Sequence, residues 1–525
     1  MNDCLARVIS ICQRSIALNH LTSGVVKQFW RYMSTGILDR IKQMFKPEGP
    51  LPLNPGKIDI ANIRAYNKSR LTNIDRQSFC YAPSVNMLFA QNGDVRVCCH
   101  NLEFSIGKYP QQSIAEIWKS AKAEELRQNM KSWDLAHGCQ ICEADLRMGS
   151  YNEVSARHFD NFARHAEYPR MMEFLLTNTC NLECVMCKGE YSSLIRKNRE
   201  KLPPLISPYD KAFLKQLEEF IPYLHETRFS GSGEAFAIDM NYEIWEMIIE
   251  KNPKCVIMVQ TNGSYLNAKV KDFLSRGNFQ IGVSLDSLKK ETYEAIRLNA
   301  NFEKVMENIQ YFSEYSRNKK MKFSISTCVM RQNWRELPDF VNFCNGLNAV
   351  ATFHKVWYPK KYALDNLPTG EIKEIYNYLA SHTFKAQTYV QRTNVAHYEY
   401  FTKVVKQWAD ADRTAEIKQQ EEEARVALLP EAELYPYFKN KLKLYFEELI
   451  NTPAGKEVIY NEIIEKMEVV VNAGNDEHER ELLLRNACRW PANVIVQSFK
   501  GNTVEYLVSE SRRLLENKAV AHEEY

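Results

Sequence analysis

The sequence predicts an α/β protein: a partial (β/α)6 barrel of parallel strands, with a small α+β cysteine-rich module before it and a helical region after it. Three observations carry this prediction. From Met171 onward, short β-rich runs alternate with longer amphipathic ones, the pattern of parallel β–α units. Ahead of them, Cys80, Cys98, Cys99, Cys139 and Cys142 fall in tight spacings. Beyond residue 360 strand periodicity stops and charged helical sequence takes over.

The barrel is assigned to residues 166–360. Its strands are "MMEFLLTNT", "ETRFSG", "CVIMVQTNG", "FQIGVSLDS", "KFSISTCVM" and "VATFHKVWY", each apolar, short and bounded by Gly, Asn or Ser. Amphipathic stretches such as "YDKAFLKQLEEFI", "NYEIWEMIIEKN" and "LNAKVKDFLSRG" lie between them. Six such units are too few for a closed eight-unit barrel. The cysteine-rich module spans 77–165, where Gly93 suits a hairpin turn between "SVNMLFA" and "DVRVCC". Residues 1–76 form an N-terminal helical segment, 361–485 a helical region containing "AEIKQQEEEARVALL", and 486–525 a hairpin followed by a helix.

At 525 residues, the chain can build one large domain and at least one smaller one. With 45% apolar residues, 25% charged residues and a net charge of +3, it has no global field that would draw nucleic acid. No apolar run approaches the roughly 20 residues that cross a bilayer. The start, "MNDCLARVISICQRSIALNH", is a poor secretory signal, so a cytoplasmic, reducing compartment is expected. Residues 25–46 are apolar at helical spacing with basic residues between them. A helix packed on the body is favoured over a membrane-surface contact.

In a reducing compartment, closely spaced cysteines read as metal ligands before disulfides. Cys180, Cys184 and Cys187 stand as C-x3-C-x2-C directly after the first barrel strand. Zinc usually takes four ligands as two separated pairs, which fits three thiols in one loop poorly. A cubic iron–sulfur cluster accepts three thiolates and keeps one iron open. By contrast, Cys255, Cys328 and Cys344 stand alone in apolar stretches and read as small buried hydrophobes.

C-x3-C-x2-C after the first strand of a partial barrel resembles the radical S-adenosylmethionine (SAM) superfamily, and the later segments fall in that family's order. "SGSGEAF" resembles its Gly-Gly-Glu-Pro segment, with Ser232 in place of a glycine and Ala235 in place of the proline. The resemblance implies that Gly231, Ser232, Gly233 and Glu234 bind the cofactor, Glu234 meeting the SAM amino group. It implies SAM contacts for Asn262 in "QTNG", Ser284 in "VSLDS" and Arg297. Met186, where many members carry an aromatic residue, would pack near adenine. The implied chemistry is reductive cleavage of SAM at a 4Fe–4S cluster to a 5′-deoxyadenosyl radical, which abstracts hydrogen from the substrate. A flavodoxin- or ferredoxin-type protein would supply the electron.

Cys80 and Cys98 flank Gly93 at twelve and four residues, and "GCQIC" brings Cys139 and Cys142. A zinc ribbon could use the same four thiolates. With the helix "SIAEIWKSAKAEELRQ" between the pairs, the segment is similar to the twitch or SPASM auxiliary-cluster modules of the same superfamily. The resemblance implies one auxiliary 4Fe–4S cluster on Cys80, Cys98, Cys139 and Cys142, Cys98 being preferred over Cys99. "CRWPANVIVQSFKGNTVEYLV" repeats the spacing from Cys488 but ends on Tyr506, and is expected to be a decayed hairpin of the same kind. No catalytic side chain is assigned. The expected function is radical SAM oxidation or crosslinking of a peptide or protein side chain. The alternatives are dehydrogenation or rearrangement of a small metabolite such as a sugar or alcohol and, more remotely, a non-catalytic metal-binding scaffold.

Overall fold

The computed structural model describes residues 58–508, apart from 72–75, 102–103, 152–153, 163–166, 412–421, 423, 449–452, 491, 502 and 505–506. The segment 25–46 and Tyr506 therefore lie outside the described residues. The chain divides into two compact units. One ends at Asn366 and takes in His382–Glu399; the other comprises Leu367–Ser381 and the chain from Tyr400.

The first unit is built on a nine-stranded sheet in the order β3-β2-β1-β4-β5-β6-β7-β8-β9. Its strands are β1 (Asn86–Phe89), β2 (Asp94–Arg96), β3 (Gly107–Lys108), β4 (Met171–Phe174), β5 (Glu226–Phe229), β6 (Val256–Thr261), β7 (Phe279–Ser284), β8 (Phe323–Val329) and β9 (Val350–Lys355). All six expected barrel strands form, from β4 to β9, each parallel to the next. Burial alternates strictly along β6 and β8. Ile257, Val259, Phe323 and Ile325 are buried in the apolar core, while Met258, Gln260, Ser324 and Ser326 are only partly covered. A parallel sheet covered by helices on both faces reads as continuous hydrophobic runs; this alternation leaves one half-open polar face.

The helices that cover the other face carry apolar residues at i, i+3 and i+4. In Lys211–Phe220 these are Phe213, Leu214, Leu217 and Phe220, with Asp210 capping the first turn through Phe213 N–H. Asn301 and Asn267 cap Phe302–Lys319 and Ala268–Arg276 in the same way.

The cysteine-rich module is not a separate body. Its hairpin, β1 antiparallel to β2, turns at Gly93, whose φ is +85° and whose missing Cβ would meet Tyr109 O at 2.1 Å. β1 then pairs in parallel with β4, with Leu88 opposite Glu173. The module thus extends the barrel sheet by three strands, where the sequence suggested a boundary near residue 166.

Polar groups join the two parts. Asn86 Nδ2 donates to Val97 O at 2.9 Å and to Glu173 Oε1 at 2.6 Å. Arg228 donates to Glu226 Oε1 at 2.6 Å and, through Nη2, to His158 Nε2 at 2.5 Å. Arginine can only donate, so His158 is neutral here with its lone pair on Nε2.

The second unit is helical, as expected for most of its length. Glu431–Glu448, Pro453–Asn472, Glu477–Arg489 and Ala492–Gly501 pack around Leu434, Phe438, Ile463, Met467, Cys488 and Ile495. The hairpin expected from residue 486 does not form: Cys488 lies in the last turn of the helix Glu477–Arg489, and Ala492–Gly501 is another helix. Ile495 and Phe499, four apart, are both buried, so a helical period decides this segment. The Cys488 thiol donates to Leu434 O at 3.2 Å.

His158 makes the stability of the module–barrel junction depend on pH. Burial first, and the Arg228 charge second, lower its pKa to about 3. On acidification the unfolded chain therefore takes up this proton first. The contribution is complete above about pH 6.5 and is lost as pH falls toward 3. His158→Gln should flatten the acid limb of stability between about pH 6.5 and 4, measured as urea midpoints against pH.

Candidate active site

Strands β4 to β9 run parallel, so their C-terminal ends share one rim, where α/β folds collect chemistry. The loop after β4 carries Cys180, Cys184 and Cys187, all free thiols and partly exposed. Its shape is fixed by side chains that accept or donate to its backbone. Arg199 donates to Glu183 O at 2.8 Å, to Cys184 O at 3.4 Å and to Cys187 O at 3.3 Å. Asn178 holds Gly189 O at 2.7 Å, and Ser192 holds Leu182 O at 2.7 Å.

The loop after β5 is zipped onto the cysteine loop. Ser232 Oγ donates to Thr177 O at 2.9 Å, Gly233 N–H to Tyr191 O at 3.0 Å and Glu234 N–H to Thr179 O at 2.7 Å. Gln91, from the turn between β1 and β2, contacts Ser232 Oγ and donates to Glu190 O at 2.8 Å. Gly233 has φ +64°, and a Cβ there would lie 2.6 Å from Thr179 O and 3.0 Å from Thr177 O. A glycine is required by both conformation and space.

Glu234 is only 1% exposed. Oε1 accepts from Thr261 Oγ1 at 2.6 Å and Phe236 N–H at 3.2 Å, and Oε2 accepts from Asn262 N–H at 2.7 Å. A carboxylate has about four acceptor positions; three are taken, which leaves Oε2 one lone pair for a further donor. Burial raises the pKa of this carboxyl, with the three donors and Arg297 opposing it. An added cation would favour its charged form.

The other expected site residues lie on the same rim. Asn262 Nδ2 donates to Asn181 Oδ1 at 2.9 Å, and Asn181 Nδ2 donates to Ser264 Oγ at 3.0 Å, binding the loop after β6 to the cysteine loop. Ser284 Oγ accepts from Gln260 Nε2 at 2.8 Å, which also reaches Ser326 Oγ at 2.9 Å. Met186 packs with Val185, Cys328 and Tyr362 against Ile296, Met330 and Val356. Arg297 is buried beside Asp286, with Nε 2.8 Å from Oδ2.

Burial raises all three thiol pKa values, to about 11 for Cys184 and about 12 for Cys187, while Arg297 pulls each of them down. Cys328 departs from the expectation of an isolated hydrophobe: it is partly exposed, its N–H donates to Asp286 Oδ1 at 2.7 Å, and it neighbours Cys184 and Cys187.

A second site lies in the module. Cys80, Cys98, Cys139 and Cys142 line one cavity together with His100 and Asn101. Cys99 is exposed and does not line it. Burial raises all four thiols, Cys139 to about 12 and Cys142 to about 11. Among the described residues, no group of three or more His, Cys, Asp or Glu gathers on a point that would hold a single metal ion. The four module thiols instead line a common cavity, and the three thiols of the barrel rim share one loop. Their donor sets fit two cubic iron–sulfur clusters: three thiols leaving one iron open on the barrel rim, and four thiols for a fully ligated cluster in the module.

Residues 174–344 match the radical SAM superfamily, and residues 80–143 match SPASM, an iron–sulfur cluster-binding domain. The chain carries a radical SAM domain and, preceding it, a SPASM domain, and with them the requirement for SAM, a 4Fe–4S cluster that binds it and an auxiliary iron–sulfur cluster. A GTP 3′,8-cyclase from Limosilactobacillus fermentum is 28% identical over 193 residues, 35% of this chain and 52% of that one. A cysteine-type anaerobic sulfatase-maturating enzyme from Clostridium novyi is 28% identical over 181 residues, 32% of this chain and 45% of that one. The chain thus spans about half the length of these curated relatives. Among solved structures, native anSMEcpe with bound AdoMet aligns at 20% identity and TM-score 0.31, covering 40% of this chain and 60% of that one. No helix among the described residues is long and apolar enough to cross a membrane.

Sequence reading missed Arg199, Asn181 and Gln91, which shape the site without belonging to a motif. Asp286 stood inside the quoted "VSLDS", but its partner Arg297 lies across an intervening helix.

Gly233→Ala should strain the left-handed backbone, by about 1–2 kcal/mol, and push apart the two loops. The expected outcome is a lower thermal midpoint together with reduced iron at the barrel site after anaerobic reconstitution.

Proposed function

We propose that this protein is a radical SAM enzyme that modifies a peptide or protein side chain, by net oxidation or crosslinking. One observation carries the reading: a rim with three thiols and an available buried carboxylate shares a single sheet with a cavity lined by four thiols. The sulfatase-maturating relative, named for action on a protein, supports the choice of substrate.

Cys180, Cys184 and Cys187 would hold the cluster that binds SAM, and Glu234 would accept from the SAM ammonium through its remaining lone pair. Asn262 and Ser284 would border the methionyl and ribose parts, with Gly231, Ser232 and Gly233 shaping the wall and Met186 lying toward adenine. When bound between these residues, the cluster and SAM would supply the radical chemistry needed to take hydrogen from an unactivated carbon. The chain's own part is to hold, orient and shield. Arg199 and the loop after β5 keep the thiol loop rigid, and the half-open face with Gln260, Ser284 and Ser326 offers polar groups to the substrate. The four module thiols would hold the auxiliary cluster, suited to carrying the second electron of a two-electron oxidation. A flavodoxin- or ferredoxin-type protein would deliver the first.

A small-molecule substrate is the second reading, favoured by the polar face and by the nucleotide-cyclase relative. Product from a nucleoside triphosphate or a sugar, with none from peptides, would establish it over the first.

Reduced, anaerobically reconstituted protein should cleave SAM to 5′-deoxyadenosine, and changing Cys180, Cys184 and Cys187 together to Ala should abolish this. Undiminished cleavage in that variant would overturn the proposal. Replacing Cys139 and Cys142 with Ala should remove roughly half the iron, leave SAM cleavage detectable and eliminate substrate product. Stoichiometric zinc in the wild-type module would defeat the electron-carrying role. Glu234→Gln should weaken SAM binding about ten- to hundredfold in equilibrium dialysis with iron unchanged, since its amide N–H2 would face a site already crowded with donors.

A further inference from the structure

Arg297 follows the helix Lys290–Ile296, and its guanidinium is buried, the residue being 7% exposed. Nε lies 2.8 Å from Asp286 Oδ2, yet neither atom has an aligned hydrogen bond. The two are held by charge, without the two-pronged fork of a self-contained Arg–Asp pair. Nη1 is directed to sulfur, 3.9 Å from Cys184 Sγ. Asp286, 1% exposed, is anchored from the other side by Cys328 N–H at 2.7 Å. A cation out of water is thus suspended between one carboxylate and the thiol loop.

Charges buried together interact far more strongly than in water. One-electron reduction adds a negative charge to a cluster. A fixed cation a few ångströms from a ligating sulfur stabilises the reduced form, and a fixed anion opposes it. We propose that Arg297 is a positioning residue that raises the reduction potential of the cluster held by Cys180, Cys184 and Cys187, with Asp286 holding the guanidinium in place and offsetting part of its effect. The inference rests on the reading that these cysteines hold the cluster. It is separate from any contact between Arg297 and SAM.

The test is an EPR-monitored redox titration of the full-length, reconstituted protein without SAM, with dithionite as one-electron reductant. The relevant signal is the one that changes when SAM is added to a parallel sample; if no signal changes, the cluster assignment itself has failed. Arg297→Gln should lower the reduced-to-oxidised ratio at the wild-type midpoint about tenfold, a shift of about 59 mV for one electron. Asp286→Asn should shift the midpoint the opposite way, and Arg297→Lys should stay near wild type. Distortion of the loop alone would not give opposite signs. Shifts of the same sign in Arg297→Gln and Asp286→Asn, or no shift in either, would overturn the inference. Should Arg297→Gln fail to assemble the cluster, Asp286→Asn decides alone: a rise supports the inference and its absence refutes it.

Discussion

One buried glutamate, through both its backbone N–H and its carboxylate, ties the rim together. Glu234 sends its N–H to Thr179 on the cysteine loop and takes donors from Thr261 and Asn262 at the end of β6. Three successive strand ends are thereby fixed to one another through a single residue. Leaving any of these buried groups unpaired would cost about 1–3 kcal/mol, so the loops hold one arrangement. The adjacent close approach at Gly233 depends on it, as does the register in which Ser232 and Gln91 bridge the module to the rim.

The barrel was legible in the sequence because its strands obey a local rule. β6 and β8 alternate buried with half-covered residues, and the intervening helices repeat apolar positions at three and four. The β1–β2 hairpin was legible through Gly93, whose left-handed conformation the turn requires. The thiol spacings likewise marked both sites, because a cluster needs its ligands on short, fixed loops.

What stayed hidden depends on contacts between distant segments. Nothing local in "NMLF" announces a parallel pairing with β4 some eighty residues later. Arg297 and Asp286 are separated by a helix, and Arg199 acts on carbonyls that carry no sequence signature. The segment after Cys488 departs from expectation for a different reason: its cysteine and glycine spacing predicts a hairpin, while Ile495 and Phe499 keep the stronger helical period.

The pairing of β1 with β4 also bears on solubility. A sheet edge is a row of unpaired N–H and C=O groups that another chain can extend. Here the first barrel strand has no such edge, because the module's hairpin occupies it. Beyond that hairpin lies β3, only two residues long, which offers a newcomer little to bind. A fragment beginning at Met171 would instead present β4, buried at every position in the intact protein and apolar except for Glu173, as an open edge for aggregation. The SPASM domain is therefore a guard of the barrel as well as its neighbour.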